Sequence, residues 1–247
     1  MRISILTLFP EQIDNFLSFS IIGRAIEKGI LEIKTINIRD FAVNEYGKVD
    51  DTLYGGGTGM LIMCQPVYDA YNHAVQAFHK GSKPHTIFVS PKGKTLSQKI
   101  SVRLSKHEDI CIICGHYEGI DQRVLDLIVD EEISIGDYVL TGGEIAAIVI
   151  VDSMSRMIDG VLPNEDAYTN ESHMNGLLEA NQYTKPYEWN GIKIPEVLAS
   201  GNEALIREEN YISSIIETIH KRPDMLQNNK NELSETTWKK VLDKMKE

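Results

Sequence analysis

The sequence predicts an α/β fold built on a parallel sheet, followed by a smaller, mainly α-helical C-terminal region. Strand-like and helix-like patterns alternate over the first two-thirds of the chain, and most of the strand-like runs are almost wholly apolar. Apolar strands that alternate with helices are typical of a parallel sheet covered on both faces. After Leu162 the pattern changes, because polar residues without periodicity interrupt the alternation.

The individual elements follow from the spacing of apolar residues. Strands are predicted over residues 3–8, 31–38, 86–89 and 109–114, of which only 31–38 alternates between apolar and polar side chains. Helices are predicted over residues 21–26, 65–79, 96–105, 143–158, 203–220 and 235–244.

The change after Leu162 also predicts the division into domains. We expect a first domain over residues 1–162, a flexible linker over 163–174 and a helical domain over 175–247. The linker prediction depends on the polar run that starts at Pro163, which has the composition of a loop.

Composition and charge restrict the classes of protein to which the chain can belong. It has 25 Lys+Arg against 36 Asp+Glu in 247 residues, a net charge of −11. A nucleic-acid-binding protein with this balance needs local basic patches, because cations must neutralise phosphates. The start of the chain is too briefly apolar for a secretory signal, and no apolar run has the length of a membrane span. We therefore expect a cytoplasmic protein.

The three cysteines include a Cys-x-x-Cys pair, Cys111 and Cys114. Such a pair can form a redox or metal site. Here it falls inside a predicted strand, whose alternation places the two thiols on opposite faces of the sheet. We expect buried, reduced thiols, as is usual in the cytosol.

Three glycine-rich segments carry the features expected of a binding site: residues 54–60, 114–121 and 133–144. Each follows or lies near a strand-like run, and the carboxyl ends of parallel strands are where open α/β sheets bind ligands. Glycine lets the backbone approach a ligand closely. The alternative is that these segments are tight turns without a ligand. None matches a phosphate-binding loop or a dinucleotide fingerprint.

These segments also carry a family resemblance. Residues 89–93, 114–124 and 130–144 resemble the cofactor loops of the bacterial tRNA (guanine-37-N1)-methyltransferases, members of the trefoil-knot (SPOUT) methyltransferase superfamily. The opening of the chain is similar too, and the similarity is collinear from residue 1 to about residue 226.

The resemblance implies a SPOUT domain with a trefoil knot, although general topology rules disfavour knots. It also implies a homodimer with each active site at the subunit interface, and S-adenosyl-L-methionine bound among the knot loops. A magnesium requirement is suggested as well, although the sequence has no recognisable metal-ligand cluster. The residues that correspond to the cofactor site are Val89, Ser90, Pro91, Gly115, Tyr117, Glu118, Gly119, Ser134, Ile135, Gly136, Tyr138, Leu140, Gly142 and Gly143.

Methylation of guanine N1 needs a base that removes the N1 proton and a cation or donor that stabilises the charge on O6. In the family these roles belong to an aspartate in the linker and an arginine before it. Arg156 matches the arginine, and Glu171 stands where the family has the aspartate. The alternative for Glu171 is an ordinary loop charge.

The C-terminal region departs from the family pattern. Glu203 replaces a histidine, and residues 163–247 hold 10 Lys+Arg against 15 Asp+Glu. In the family this region grips tRNA, for which cations are needed. We therefore keep three hypotheses: a tRNA N1-guanine methyltransferase, a paralogue that methylates a small nitrogen heterocycle or a peptide, and a silent binding relative.

Overall fold

The computed structural model describes residues 1–164, 166–169, 171–228 and 233–246. The chain divides into two compact units, residues 1–164 and residues 165–247. Of the predicted linker, Glu165 and Asn170 lie outside the described residues, as do residues 229–232 and 247 of the predicted C-terminal domain.

The first unit is organised around five parallel strands in the order β2-β1-β6-β5-β7. The predicted α/β class with a parallel sheet is therefore confirmed. A separate antiparallel hairpin, β3-β4, was not predicted. The strands are β1 (Arg2–Thr7), β2 (Glu32–Asn37), β3 (Asp50–Thr52), β4 (Met60–Ile62), β5 (His85–Thr95), β6 (Asp109–Cys114) and β7 (Glu131–Ser134).

Helices cover both faces of this sheet, as predicted. One apolar cluster joins α1, α2, α4 and α6 to side chains such as Ile3 and Ile112. The other joins α3 and α5 to side chains such as Leu6 and Ile113. The helices are α1 (Pro10–Leu17), α2 (Ser20–Glu27), α3 (Cys64–His73), α4 (Gln98–Leu104), α5 (Gln122–Ile128) and α6 (Glu144–Ser155).

The two cysteines of the Cys-x-x-Cys pair lie in different apolar clusters. Cys111 belongs to the cluster with α3 and α5, and Cys114 to the cluster with α1 and α6. Both thiols are free and buried, and burial raises the pKa of Cys111 to about 12. The prediction of buried thiols on opposite faces of the sheet is confirmed.

A buried polar network holds the amino-terminal end of the sheet together. Arg2, at the start of β1, donates two hydrogen bonds of 2.7 Å to the carboxylate of Asp109, at the start of β6. His79 Nδ1–H donates to Asp109 Oδ1 at 2.7 Å, so His79 Nε2 accepts the Ser4 hydroxyl at 2.9 Å. Ser4 and His79 are fully buried. The network thus ties two strands to the segment that follows α3.

Two elements differ from the predicted ones. The helix predicted over 65–79 changes into a π-helical turn at Ala74–Phe78, which leads into His79. The strand predicted over 86–89 continues to Thr95, with a register shift between Val89 and Lys94.

The second unit is small and mainly helical among its described residues. Its core contains Ile212, Ile215 and Val241, and Asn202 caps its longest helix through hydrogen bonds from Ala204 and Leu205 N–H. The helices predicted over 203–220 and 235–244 are confirmed. Its elements are α7 (Asp166–Thr169), β8 (Glu188–Trp189), β9 (Ile192–Lys193), α8 (Glu203–Lys221), α9 (Pro223–Asn228) and α10 (Glu235–Lys244).

Within the described ranges, no helix of either unit is both long enough and apolar enough to cross a membrane.

Candidate active site

A cavity of about 280 Å³ lies beside the middle of β5, at the carboxyl ends of β6 and β7. Its walls come from the middle of β5 around Ser90, where the register shifts, from the loop after β6 and from the loop between β7 and α6. Residues of β5 and the loops after its two neighbours, β6 and β7, therefore meet in one place, as in other open parallel sheets.

The loop after β6 is positioned by the β3-β4 hairpin. Ile62 donates its N–H to the carbonyl of Gly119 at 3.0 Å and accepts the N–H of Asp121 at 3.0 Å. Glu118 N–H donates to the carbonyl of Met60 at 3.0 Å. The Arg123 guanidinium bonds the Asp121 carboxylate and lowers its pKa. The hairpin thus holds the backbone that lines the cavity.

The loop between β7 and α6 depends on glycine at one close approach. Gly143 N–H donates to the carbonyl of Gly115 at 2.9 Å, which joins the two cavity loops. A Cβ at Gly143 would lie 2.5 Å from Val89 Cγ2 and 2.8 Å from Cys114 Cα. No side chain fits there, so the sequence needs glycine at this position.

A buried carboxylate stands where α6 begins. Glu144 accepts a 2.7 Å hydrogen bond from the hydroxyl of Thr7, and Thr7 Oγ1 in turn accepts the N–H of Phe9. A negative charge at a helix N-terminus is favourable. This contact fixes the start of α6 to the carboxyl end of β1.

All fourteen residues predicted for the cofactor site line this single cavity. The resemblance therefore selected residues that the fold brings together, although they come from three separate segments. Arg156 lies at the C-terminal end of α6 and is half-buried. Glu171 is half-buried too and belongs to the second unit, where its N–H donates to the carbonyl of Tyr168.

Several lining residues were not among the fourteen. Glu132 is the most informative of them, because its Oε2 atom is buried and has no hydrogen-bond partner among the described residues. Glu132 lies inside the segment 130–144, whose resemblance to a cofactor loop could have indicated that this residue lines the site. His116, Val139 and Thr141 also line the cavity, and they too lie within glycine-rich segments recognised in the sequence.

The cavity suits a ligand with an apolar ring and several hydrogen-bond donors. Phe88, Ile133 and Leu140 supply apolar surface, and a Cβ at Gly119 would meet no atom within 4 Å. The unpartnered Glu132 oxygen can accept a hydrogen bond from an amino or hydroxyl group, which would remove the cost of burying it unpaired. These features fit S-adenosyl-L-methionine.

The family model described as tRNA (Guanine-1)-methyltransferase TrmD matches residues 1–228 of the chain. The chain belongs to this family. A tRNA (guanine-N(1)-)-methyltransferase from Ruminiclostridium cellulolyticum is 50% identical over 225 residues, covering 91% of this chain and 96% of the relative. One from Clostridium perfringens is 51% identical over 227 residues, covering 92% and 94%. One from Alkaliphilus metalliredigens is 46% identical over the whole of both chains.

The family match includes both glycine-rich loops of the cavity, Arg156 and Glu171, because all of them lie within residues 1–228. It also extends through most of the acidic second unit. The predicted family is therefore confirmed over the first 228 residues of the chain.

Proposed function

We propose that the chain transfers a methyl group from S-adenosyl-L-methionine to N1 of guanine 37 in tRNA. The observation that carries this proposal is that a chain of the tRNA (Guanine-1)-methyltransferase family gathers all fourteen expected cofactor residues in one cavity. The relatives' names support guanine N1 as the acceptor. No comparison favours a small heterocycle or a peptide as the acceptor.

The cavity residues bind and orient the cofactor in this proposal. S-adenosyl-L-methionine supplies an electrophilic methyl group on a sulfonium. Gly115, Gly119 and Gly142 line the cavity, and their backbone groups would hold the cofactor closely because they carry no side chain. The carboxylates of Glu118 and Glu132 line the same cavity and would accept hydrogen bonds from the cofactor's donors. Tight placement matters, because an error of about 1 Å can cost about a hundredfold in rate.

Two residues carry the proton and charge chemistry. Glu171 removes the proton from guanine N1, whose lone pair then becomes available for alkylation. The guanidinium of Arg156 stabilises the negative charge that moves onto O6. Glu171 has one methylene more than the family aspartate, so the linker must place its backbone further from the guanine.

The surface of α6 supports the homodimer that the resemblance implies. Residues 145–151 of helix α6 are all apolar, and a helical stretch that is apolar around its circumference is normally buried on all sides. Ile145 is nevertheless 58% exposed and Val149 is 38% exposed. These two residues lie four positions apart on one face of the helix. A second copy of the chain would cover them, with an active site at the interface.

We propose that the loops around the cavity form a trefoil knot, with which the parallel strand order is consistent. Residues 163–174 would act as a flexible linker and residues 175–247 as a substrate-binding domain. A tRNA-modifying enzyme acts in the cytoplasm, which supports that location.

The proposed methyl transfer assigns no role to a magnesium ion. Among the described residues, no group of three or more His, Cys, Asp or Glu side chains could hold a metal ion.

The direct test is transfer of a labelled methyl group to unmodified tRNA that carries G36-G37. We expect incorporation into this transcript and none into a matched transcript with G37 replaced by A. A protein that binds S-adenosyl-L-methionine but methylates neither transcript would contradict the proposed acceptor.

The Arg156→Ala variant is expected to lower the rate of methyl transfer by about 10²–10³-fold, because a donor to developing charge is lost. Affinity for S-adenosyl-L-methionine, measured by calorimetry, should change little. Arg156→Lys is the matched control: it keeps the charge but not the forked geometry, so an intermediate rate is expected. Loss of cofactor affinity with an unchanged rate at saturation would show that Arg156 has been assigned the wrong role.

A further inference from the structure

The last 19 residues of the chain differ in charge from the rest of the second unit. Residues 165–228 hold five Lys+Arg against eleven Asp+Glu, whereas residues 229–247 hold five against four. The family model ends at residue 228. Half of the unit's cations therefore lie in a segment beyond the family model, and α10 is its described helix.

Helix α10 uses two of these cations to neutralise α8. Lys240 pairs with Glu208, and Lys244 pairs with Glu209. Between the two lysines, Val241 is fully buried in the core with Ile212 and Ile215. Without α10, two adjacent carboxylates of α8 would face solvent unpaired and would repel the phosphates of an RNA.

A cavity of about 200 Å³ opens beside this contact. Its lining includes the apolar Leu198 and Ile216 and the aromatic ring of Tyr183. The carboxylates of Glu209 and Glu217 line it too, and each is paired with a lysine, Lys244 and Lys221 respectively. Hydrogen-bonding groups of Asn210 and Ser213 line it as well. This cavity is smaller than the cofactor cavity of about 280 Å³, so it suits a smaller group such as one planar ring.

We propose that this cavity, the α8–α10 cavity, binds one unpaired nucleotide of the tRNA and that α10 makes it accessible to RNA. Unpaired bases are commonly stacked on aromatic side chains and read by hydrogen bonds along their edges. Tyr183 provides the aromatic face, and Asn210 and Ser213 provide hydrogen-bonding groups. Lys240 and Lys244 cancel the charge of Glu208 and Glu209, so that a phosphate can approach. This inference rests on the proposed function, because it takes tRNA as the substrate.

The charge part is tested with paired variants and an unmodified tRNA transcript, by fluorescence anisotropy. Lys240→Gln/Lys244→Gln leaves both glutamates unpaired, and we expect roughly tenfold weaker binding, with the difference decreasing at high salt. Adding Glu208→Gln/Glu209→Gln removes those charges and should restore the affinity to within about twofold of wild type. If the variant with all four substitutions binds tRNA as weakly as the double lysine variant, the neutralising role of α10 is overturned.

Stacking of a base on Tyr183 is tested by variants that leave the α8–α10 contact unchanged. Tyr183→Ala should weaken tRNA binding at least about fivefold, because the variant loses the aromatic ring on which a base would stack. Tyr183→Phe should retain most of the affinity. Tyr187→Ala is the matched control, since Tyr187 is an exposed aromatic of the same unit that does not line the cavity. Equal affinities of wild type and Tyr183→Ala would overturn the inference.

The two proposals fail in distinguishable ways. If wild type neither binds nor methylates the tRNA, the proposed function fails and this inference fails with it. If wild type does both, and the variants match it, only the inference is overturned.

Discussion

Glu171→Gln is expected to abolish methyl transfer to tRNA while leaving the affinity for S-adenosyl-L-methionine nearly unchanged. An amide cannot take the proton from guanine N1, and a positioned general base contributes about 10²–10⁴-fold to a rate. Glu171 lies in the second unit, whereas the cofactor cavity is lined entirely by residues of the first. The loss should therefore appear in single-turnover transfer and not in cofactor titration.

Two further variants sharpen this test. Glu171→Asp restores the side chain that the family has at this position, so substantial activity is expected. Glu179→Gln removes another carboxylate of the same unit and should leave the rate within about twofold, because surface charges act weakly at a distance in salt. Near-normal turnover of Glu171→Gln would mean that Glu171 is an ordinary loop charge.

Asp109→Ala is expected to lower the free energy of unfolding by about 3 kcal/mol, the largest stability effect that we predict. The substitution removes the shared acceptor of Arg2 and His79 and leaves a buried imidazole N–H unpaired. Chemical denaturation followed by circular dichroism would measure the loss. Asp14→Asn is the matched control: Asp14 accepts an exposed hydrogen bond from Thr35, so a loss below about 1 kcal/mol is expected. A similar loss in both variants would contradict the assigned importance of the network.

The same network gives stability a defined dependence on pH. Burial lowers the pKa of His79, so the unfolded chain binds a proton that the folded chain does not. The contribution of neutral His79 to the free energy of unfolding is therefore fully present above the unfolded pKa of about 6.5 and is lost as the pH falls below it. Burial raises the pKa of Asp109, but hydrogen bonds from Arg2 and His79 outweigh it and lower that pKa overall. Its contribution is lost only below about pH 3.9. His79→Gln should therefore show a smaller loss of stability between pH 6.5 and pH 5 than wild type.

Periodicity predicted some elements with their observed bounds and missed several short ones. Residues 109–114 and 235–244 are predicted with the observed bounds, because the first is continuously apolar and the second has a clear polar start. The hairpin of β3 and β4 was missed, since strands of three residues give too little pattern to detect. Helix α1 was missed as well, because Phe9 provides no capping side chain at its start.

The candidate site shows a similar division between local and long-range information. Glycine spacing alone indicated three loops near strand ends, while the family resemblance supplied the fourteen residues. The π-helical turn before His79 and the orphaned oxygen of Glu132 depend on tertiary packing. No local pattern in the sequence encodes either feature. The same is true of the pairing between α10 and α8, which joins residues 32 to 35 positions apart.

The different accessibilities of the three thiols would allow selective labelling close to the cofactor loop. Cys111 and Cys114 are buried, whereas Cys64, at the start of α3, is partly accessible. Cys64 follows the hairpin residue Ile62, whose backbone holds Gly119 and Asp121. A fluorophore attached by thiol chemistry would therefore be directed to Cys64, a few residues from the backbone that lines the cavity. One wild-type cysteine thus provides a reporter of loop ordering without the introduction of a new residue.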